Sequence, residues 1–103
     1  MSQSKLSLTF LSLHIRTSFK QLRISDKSIS GTEAKNTLDL PSIKINHLKS
    51  IHFDNCTIKN VIFNLCDNTA FTFYNCKLEN VNFETQSYYP HIKRVNIINS
   101  SLL

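Results

Sequence analysis

The chain contains a single glycine, Gly31, two prolines, Pro41 and Pro90, and no tryptophan in 103 residues. One glycine cannot supply the repeated glycines of GxxxxGK[ST] or GxGxxG, so both phosphate-cradling loops are excluded. Charged residues are also sparse, at 18%. A hydrophobic content of 41% nevertheless supplies enough apolar side chains for a core rather than a disordered chain. The length accommodates one domain.

The net charge of +5 is spread rather than focused. Residues 1–40 hold six basic side chains (Lys5, Arg16, Lys20, Arg23, Lys27, Lys35) against Asp26, Glu33 and Asp39. Residues 41–92 balance Lys44, Lys49, Lys59 and Lys77 against Asp54, Asp67, Glu79 and Glu84. Lys93 and Arg94 supply the remainder. A duplex-binding surface needs clustered cations that displace counterions, so the charge pattern disfavours nucleic acid as a partner.

No segment has the length or apolarity to span a bilayer. Residues 6–15 (LSLTFLSLHI) follow a lone Lys5 and loosely resemble a signal core, but no small-x-small cleavage site comes after them. A cytoplasmic location, or secretion without a cleaved signal peptide, is the expectation. The alternation Leu6, Leu8, Phe10, then Leu11, Leu13, Ile15 favours a strand with a bulge over an amphipathic helix.

A period of five dominates the rest. Stepping by five from Ile43 gives Leu48, Phe53, Ile58, Phe63, Asn68, Phe73, Leu78, Phe83 and Tyr88. Leu38 extends the series backwards. Two places earlier in each unit stand Ile51, Cys56, Val61, Cys66, Phe71, Cys76 and Val81, all apolar. Neither 3.6 nor 2 generates such a pattern. Five residues per side and four sides per turn bring the chain back above itself after twenty. Phe73 is then expected over Phe53, Phe83 over Phe63, Leu78 over Ile58 and Cys76 over Cys56, one strand spacing apart. The expected inward set is Phe53, Ile58, Phe63, Phe73, Leu78 and Phe83, with Cys56, Val61, Cys66, Cys76 and Val81. Asn55, Asn60, Asn75 and Asn80 fall at the unit ends, where asparagine suits tight corners.

Cys56-Thr57-Ile58-Lys59-Asn60, Val61-Ile62-Phe63, Cys76-Lys77-Leu78-Glu79-Asn80 and Val81-Asn82-Phe83-Glu84 resemble the A(D/N)LXX units of the pentapeptide-repeat family. The resemblance covers residues 41–88 and implies an all-β fold, a right-handed quadrilateral parallel β-helix of about two to three coils. Three regions follow: 1–37, a degenerate N-terminal segment acting as cap or first coil; 38–88, the repeat solenoid; and 89–103, a loop insertion at 87–94 and a terminal coil in shifted register. Ile24 and Ile29, five apart but out of phase by one, suggest that a degenerate coil starts near residue 22. Asn68 at a central apolar place and Phe71 at a small-residue place depart from the pattern.

The three cysteines, Cys56-x9-Cys66-x9-Cys76, lack the close pairs of a tetrahedral zinc site and are expected as free, buried thiols. Cys66 falls on the wall opposite the other two. The histidines His14, His47, His52 and His91 form no HExxH or HxxxH, and His47 and His52 are expected on the surface. With no nucleophile–base spacing and a narrow interior filled by side chains, no catalysis, metal, cofactor or small-molecule substrate is expected. The resemblance implies a non-catalytic protein–protein interaction module of a bacterial protein, with a secreted effector as one version. The alternatives are a truncated remnant of a longer repeat protein, and a topoisomerase-interacting DNA mimic, which the absence of negative charge disfavours. Homodimerisation through the C-terminal coil, ending on Leu102-Leu103, is a further expectation.

Overall fold

The computed structural model describes residues 3–17, 21–38, 49–65, 69–85 and 95–103. The described part is mostly β, in two sheets whose strand pairs are all parallel, with one short helix. The first sheet has the order β1-β3-β6-β8-β10: Ser4–Lys5, Lys27–Ser30, Thr57–Leu65, Lys77–Thr85 and Ser101–Leu102. A further short strand, β4 (Thr37–Leu38), pairs with the second half of β6. The second sheet has the order β2-β5-β7-β9: Gln21–Ser25, Lys49–Asp54, Thr69–Tyr74 and Val95–Ile98.

The strand registers follow the five-residue period. Phe53 pairs with Phe73 in β5 and β7, while Ile58 pairs with Leu78 and Phe63 with Phe83 in β6 and β8. All three pairs are twenty residues apart, so like side chains stack on like. The Phe53 and Phe73 rings lie 5.0 Å apart at 8°, and Phe63 and Phe83 lie 5.4 Å apart at 22°. Between the two sheets the rings meet edge to face, Phe53 on Phe63 at 78° and Phe71 on Phe63 at 65°. Stacked and edge contacts of this kind each add to the burial of the rings themselves.

Corners are made by residues that accept positive φ. Asp26, Asn55, Asn75 and Asn99 form one column and Asn60 with Asn80 another, all with φ between 49° and 57°. Asparagine and aspartate visit this region at least cost because the short polar side chain bonds locally. The columns are stitched along the stack: Asn55 Nδ2 donates to Asp26 Oδ1 at 2.7 Å, Asn80 Nδ2 to Asn60 Oδ1 at 2.9 Å, and Asn99 Nδ2 to Asn75 Oδ1. Asp26 is a corner that the five-residue series did not identify.

The N-terminal third keeps the stacking and loses the phase. Ile24 pairs with Phe53 and Ile29 with Ile58, each 29 residues on, but Leu38 pairs with Phe63, 25 residues on. The segment between Ile29 and Leu38 is thus four residues longer than its counterpart between Ile58 and Phe63. This insertion, not a different fold, puts Ile24 and Ile29 out of step by one. At the other end Phe73 pairs with Ile97, 24 residues on, so the last turn also carries four extra residues.

The segment expected as a bulged strand is a helix. Residues Leu8–Thr17 form α1. Ser7 caps it, its Oγ accepting from the Phe10 amide at 3.1 Å, and His14 and Arg16 sit in its last turn. In an extended chain Leu6, Leu8 and Phe10 would share a face. In the helix Leu8, Leu11 and Ile15 share one and enter the common core, while Phe10 and Leu13 stay exposed. The helical spacing of three and four, together with the cap, overrides the short period-two alternation. The helix leads from β1 to β2, the outermost strands at one end of the two sheets.

Among the expected inward residues, Phe53, Ile58, Val61, Phe63, Phe73 and Leu78 are fully inaccessible, and Cys56 and Cys76 are buried. Phe83 and Val81 are half-buried and pack against that core. The two-residue β10 covers only Lys77 and Leu78 of β8, leaving Val81 and Phe83 near the rim. Phe71 is fully buried and pairs with Ile51 and Val95. Cys66, Asn68, Ile43, Leu48, His47 and Tyr88, and the loop expected at 87–94, lie outside the described residues.

Candidate functional site

Because inward positions are filled by apolar side chains, any chemistry presented to a partner comes from outward positions and from the corners. On the second sheet the outward residues stack in rows: Arg23, His52, Thr72 and Asn96 in one, and Asp54, Tyr74 and Ile98 in the next but one. Arg23 and Asp54 approach to 4.0 Å across the rows, an exposed pair that contributes little to stability. A groove of about 260 Å³ opens here, lined by Arg23, His52, Phe53, Asp54, Tyr74 and Asn75. It gathers a cation, an imidazole, a carboxylate and a half-exposed phenol on one wall. His52 is half-buried in it rather than fully on the surface.

On the first sheet Lys59 and Glu79 stack and pair at 3.5 Å, with Ile62 and Asn82 beside them. The row is balanced in charge. At the end away from β1 and β2, Ile97, Ile98, Leu102 and Leu103 are between 37% and 70% exposed.

The corner after Asn55 and Asn75 carries the stacked thiols. Cys56 and Cys76 are free and buried, and the Lys77 amide donates to the Cys56 carbonyl at 2.9 Å, which fixes the two residues one rung apart. The Cys56 thiol lies 3.5 Å from the Ile24 carbonyl, and the Cys76 thiol lies 3.4 Å and 3.3 Å from those of Phe53 and Tyr74. The neighbouring Cys56 side chain lowers the Cys76 thiol to about 7, against the opposing effect of burial. The Cys76 side chain, with burial, pushes the Cys56 thiol up. The pair therefore gives up one proton readily and holds the second. A polar groove of about 550 Å³ runs alongside, lined by both cysteines, Asn55, Asn75, Lys77 and Ser100 among others.

The twenty-residue return made this pair legible as a stack, but not the groove beside it. The wall formed by Arg23, His52 and Tyr74 was not identified from sequence, because it depends on the 29-residue offset between β2 and β5. Among the described residues no group of three or more His, Cys, Asp or Glu side chains is placed to hold a metal ion, and no helix is long and apolar enough to cross a membrane. Comparison with protein-family models, with curated proteins and with solved structures finds no match to the chain.

Proposed function

We propose that the protein is a non-catalytic interaction module of the pentapeptide-repeat kind, a short right-handed quadrilateral β-helix that presents rigid outer walls to a protein partner. The observation that carries this reading is the twenty-residue register of β5 with β7 and β6 with β8, with asparagine at the stacked corners. Such stacking spends the apolar side chains on the interior and leaves flat, regularly spaced rows outside. The wall bearing Arg23, His52 and Tyr74 is the partner-facing surface, because it alone among the described outer rows combines a groove with mixed charge and an exposed aromatic ring. Tyr and Arg are the side chains most often found at the energetic centre of protein interfaces. A secreted effector is one setting for such a module.

The purified protein should capture a discrete protein from bacterial or host lysates. Tyr74→Ala combined with Arg23→Ala should lower that capture at least tenfold, leaving thermal stability nearly unchanged. Lys59→Ala on the other wall should leave capture intact. Equal loss with Lys59→Ala would overturn the assignment of the wall. Retention of duplex DNA at physiological salt, in place of a protein, would overturn the functional reading.

A further inference from the structure

We propose that the outer face of α1 docks the protein onto an anionic phospholipid surface. Phe10 and Leu13 enter the headgroup boundary, and the cations around them meet the lipid phosphates. This face does not use the wall of Arg23, His52 and Tyr74. Helix α1 rests on the core through Leu8, Leu11 and Ile15. At about 3.6 residues per turn, Phe10 and Leu13 fall on the side directly away from those three. Residues three apart are neighbours on a helix surface. The two side chains are 54% and 53% exposed. The outward face of a helix ordinarily carries polar side chains, so two large apolar ones side by side mark a contact surface.

The groups that flank this pair are polar or cationic. His14 and Arg16 are exposed on either side of it, and the His14 ring lies 5.4 Å from that of Phe10. Lys35, in the inserted segment between Ile29 and Leu38, reaches the helix, its Nζ donating to Thr9 Oγ1 at 3.0 Å. In β1, just before the helix, Lys5 is exposed, and Lys27 Nζ donates to Ser4 Oγ at 2.7 Å. Residues 1–25 contain no acid. Two acids follow, the exposed Glu33 and the corner Asp26, which accepts from Asn55. Lys5, Arg16, Lys27 and Lys35 outnumber them, so positive charge is in excess around the apolar pair.

An apolar pair flanked by cations complements a membrane surface, which is anionic outside and apolar just beneath. A second copy fits poorly, because its α1 carries no acid and two such faces would set cation against cation. A nucleic acid presents phosphates with no apolar layer behind them, which leaves Phe10 and Leu13 against a charged backbone. With two side chains inserted and the rest electrostatic, the attachment is reversible and sensitive to salt.

The test is co-sedimentation of the full chain with vesicles of equimolar phosphatidylglycerol and phosphatidylcholine, and with vesicles of phosphatidylcholine alone. The anionic vesicles should bind about tenfold more tightly or better, and added salt should release the protein. Phe10→Ser combined with Leu13→Ser should lower binding about tenfold, as should Arg16→Gln combined with Lys35→Gln. The urea midpoint should stay nearly unchanged in both, because all four side chains are exposed. Ile98→Ser, at the other end of the second sheet, should bind as the parent does. The chain has no tryptophan, so Phe10→Trp puts a single reporter on the face. Its emission should shift to the blue when anionic vesicles are added. No binding to anionic vesicles, equal binding to both kinds, or undiminished binding by the Phe10 and Leu13 double variant would overturn the proposal. So would an unshifted tryptophan emission on bound vesicles, or self-association that the same two serines abolish.

Discussion

Phe63→Ala is expected to unfold the protein at physiological temperature. Phe63 is fully inaccessible and touches four other rings: Phe71 at 5.3 Å, Phe83 at 5.4 Å, Phe73 at 5.6 Å and Phe53 at 6.1 Å. Leu38 pairs with it from the neighbouring strand. Removing a buried ring costs about 3–5 kcal/mol, the lost transfer energy plus the cavity left behind. Neighbouring rungs are held by their hydrogen-bond ladders, so little collapse into that cavity is available. Small domains have only about 5–15 kcal/mol in total, so the loss removes much of the margin. Urea unfolding followed by circular dichroism should show the midpoint falling steeply. Phe83→Ala, at the half-buried rim, should cost distinctly less, and Phe10→Ala, on the exposed side of α1, almost nothing. A cooperatively folded Phe63→Ala variant of near-native stability would contradict the inward placement of the ring.

Gly31→Ala is expected to have the second-largest effect, for a reason outside the hydrophobic core. A Cβ placed on Gly31 would stand 2.0 Å from the Asn60 carbonyl oxygen and 2.9 Å from the Asn36 Cα. Both are backbone atoms, so no side-chain rotation relieves the overlap. Gly31 also donates its amide to the Lys59 carbonyl at 2.9 Å, so it cannot retreat without losing a rung. Asn60 is itself held at the corner by its positive φ and by the bond from Asn80. Overpacking commonly costs about 1–3 kcal/mol and more where the backbone must move. The urea midpoint should fall accordingly, and Gly31→Ser should fall as far. An alanine variant as stable as wild type would mean that the 31–36 insertion does not press against the corner.

These two substitutions mark what could and could not be read from the chain. Phe63 stands in an unbroken series of apolar residues five apart, and its pairing with Phe83 at twenty residues follows from that series. The asparagine corners at 55, 60, 75 and 80 were equally visible, because a residue type with a specific backbone preference recurs at the spacing of the corners. Gly31 was not read as a packing position. Its role comes from an insertion that brings residues 31–36 against Asn60, and insertions leave no periodic signal. The same insertion hid Ile24 and Ile29 behind a phase shift of one, although they pair with Phe53 and Ile58. Helix α1 was mistaken for a strand because Leu6, Leu8 and Phe10 alternate over a short stretch. The deciding information lay in Ser7 and in Leu8, Leu11 and Ile15, whose spacing only a helix brings to one face.

The candidate site divides in the same way. The stack of Cys56 on Cys76 followed from the period, while the wall of Arg23, His52 and Tyr74 needed the long offset between β2 and β5. Function was least legible, because outward residues of a stacked fold are free to vary without disturbing the interior.

Residues 49–65 are matched by 69–85 twenty residues on, with parallel strands in register. Nuclear Overhauser contacts in uniformly labelled protein test it most directly. Side-chain contacts are expected between Ile58 and Leu78, Phe53 and Phe73, and Phe63 and Phe83, together with a slowly exchanging Lys77 amide bonded to the Cys56 carbonyl. Antiparallel cross-strand contacts between β5 and β6, or between β7 and β8, in place of the twenty-residue pairs would contradict it.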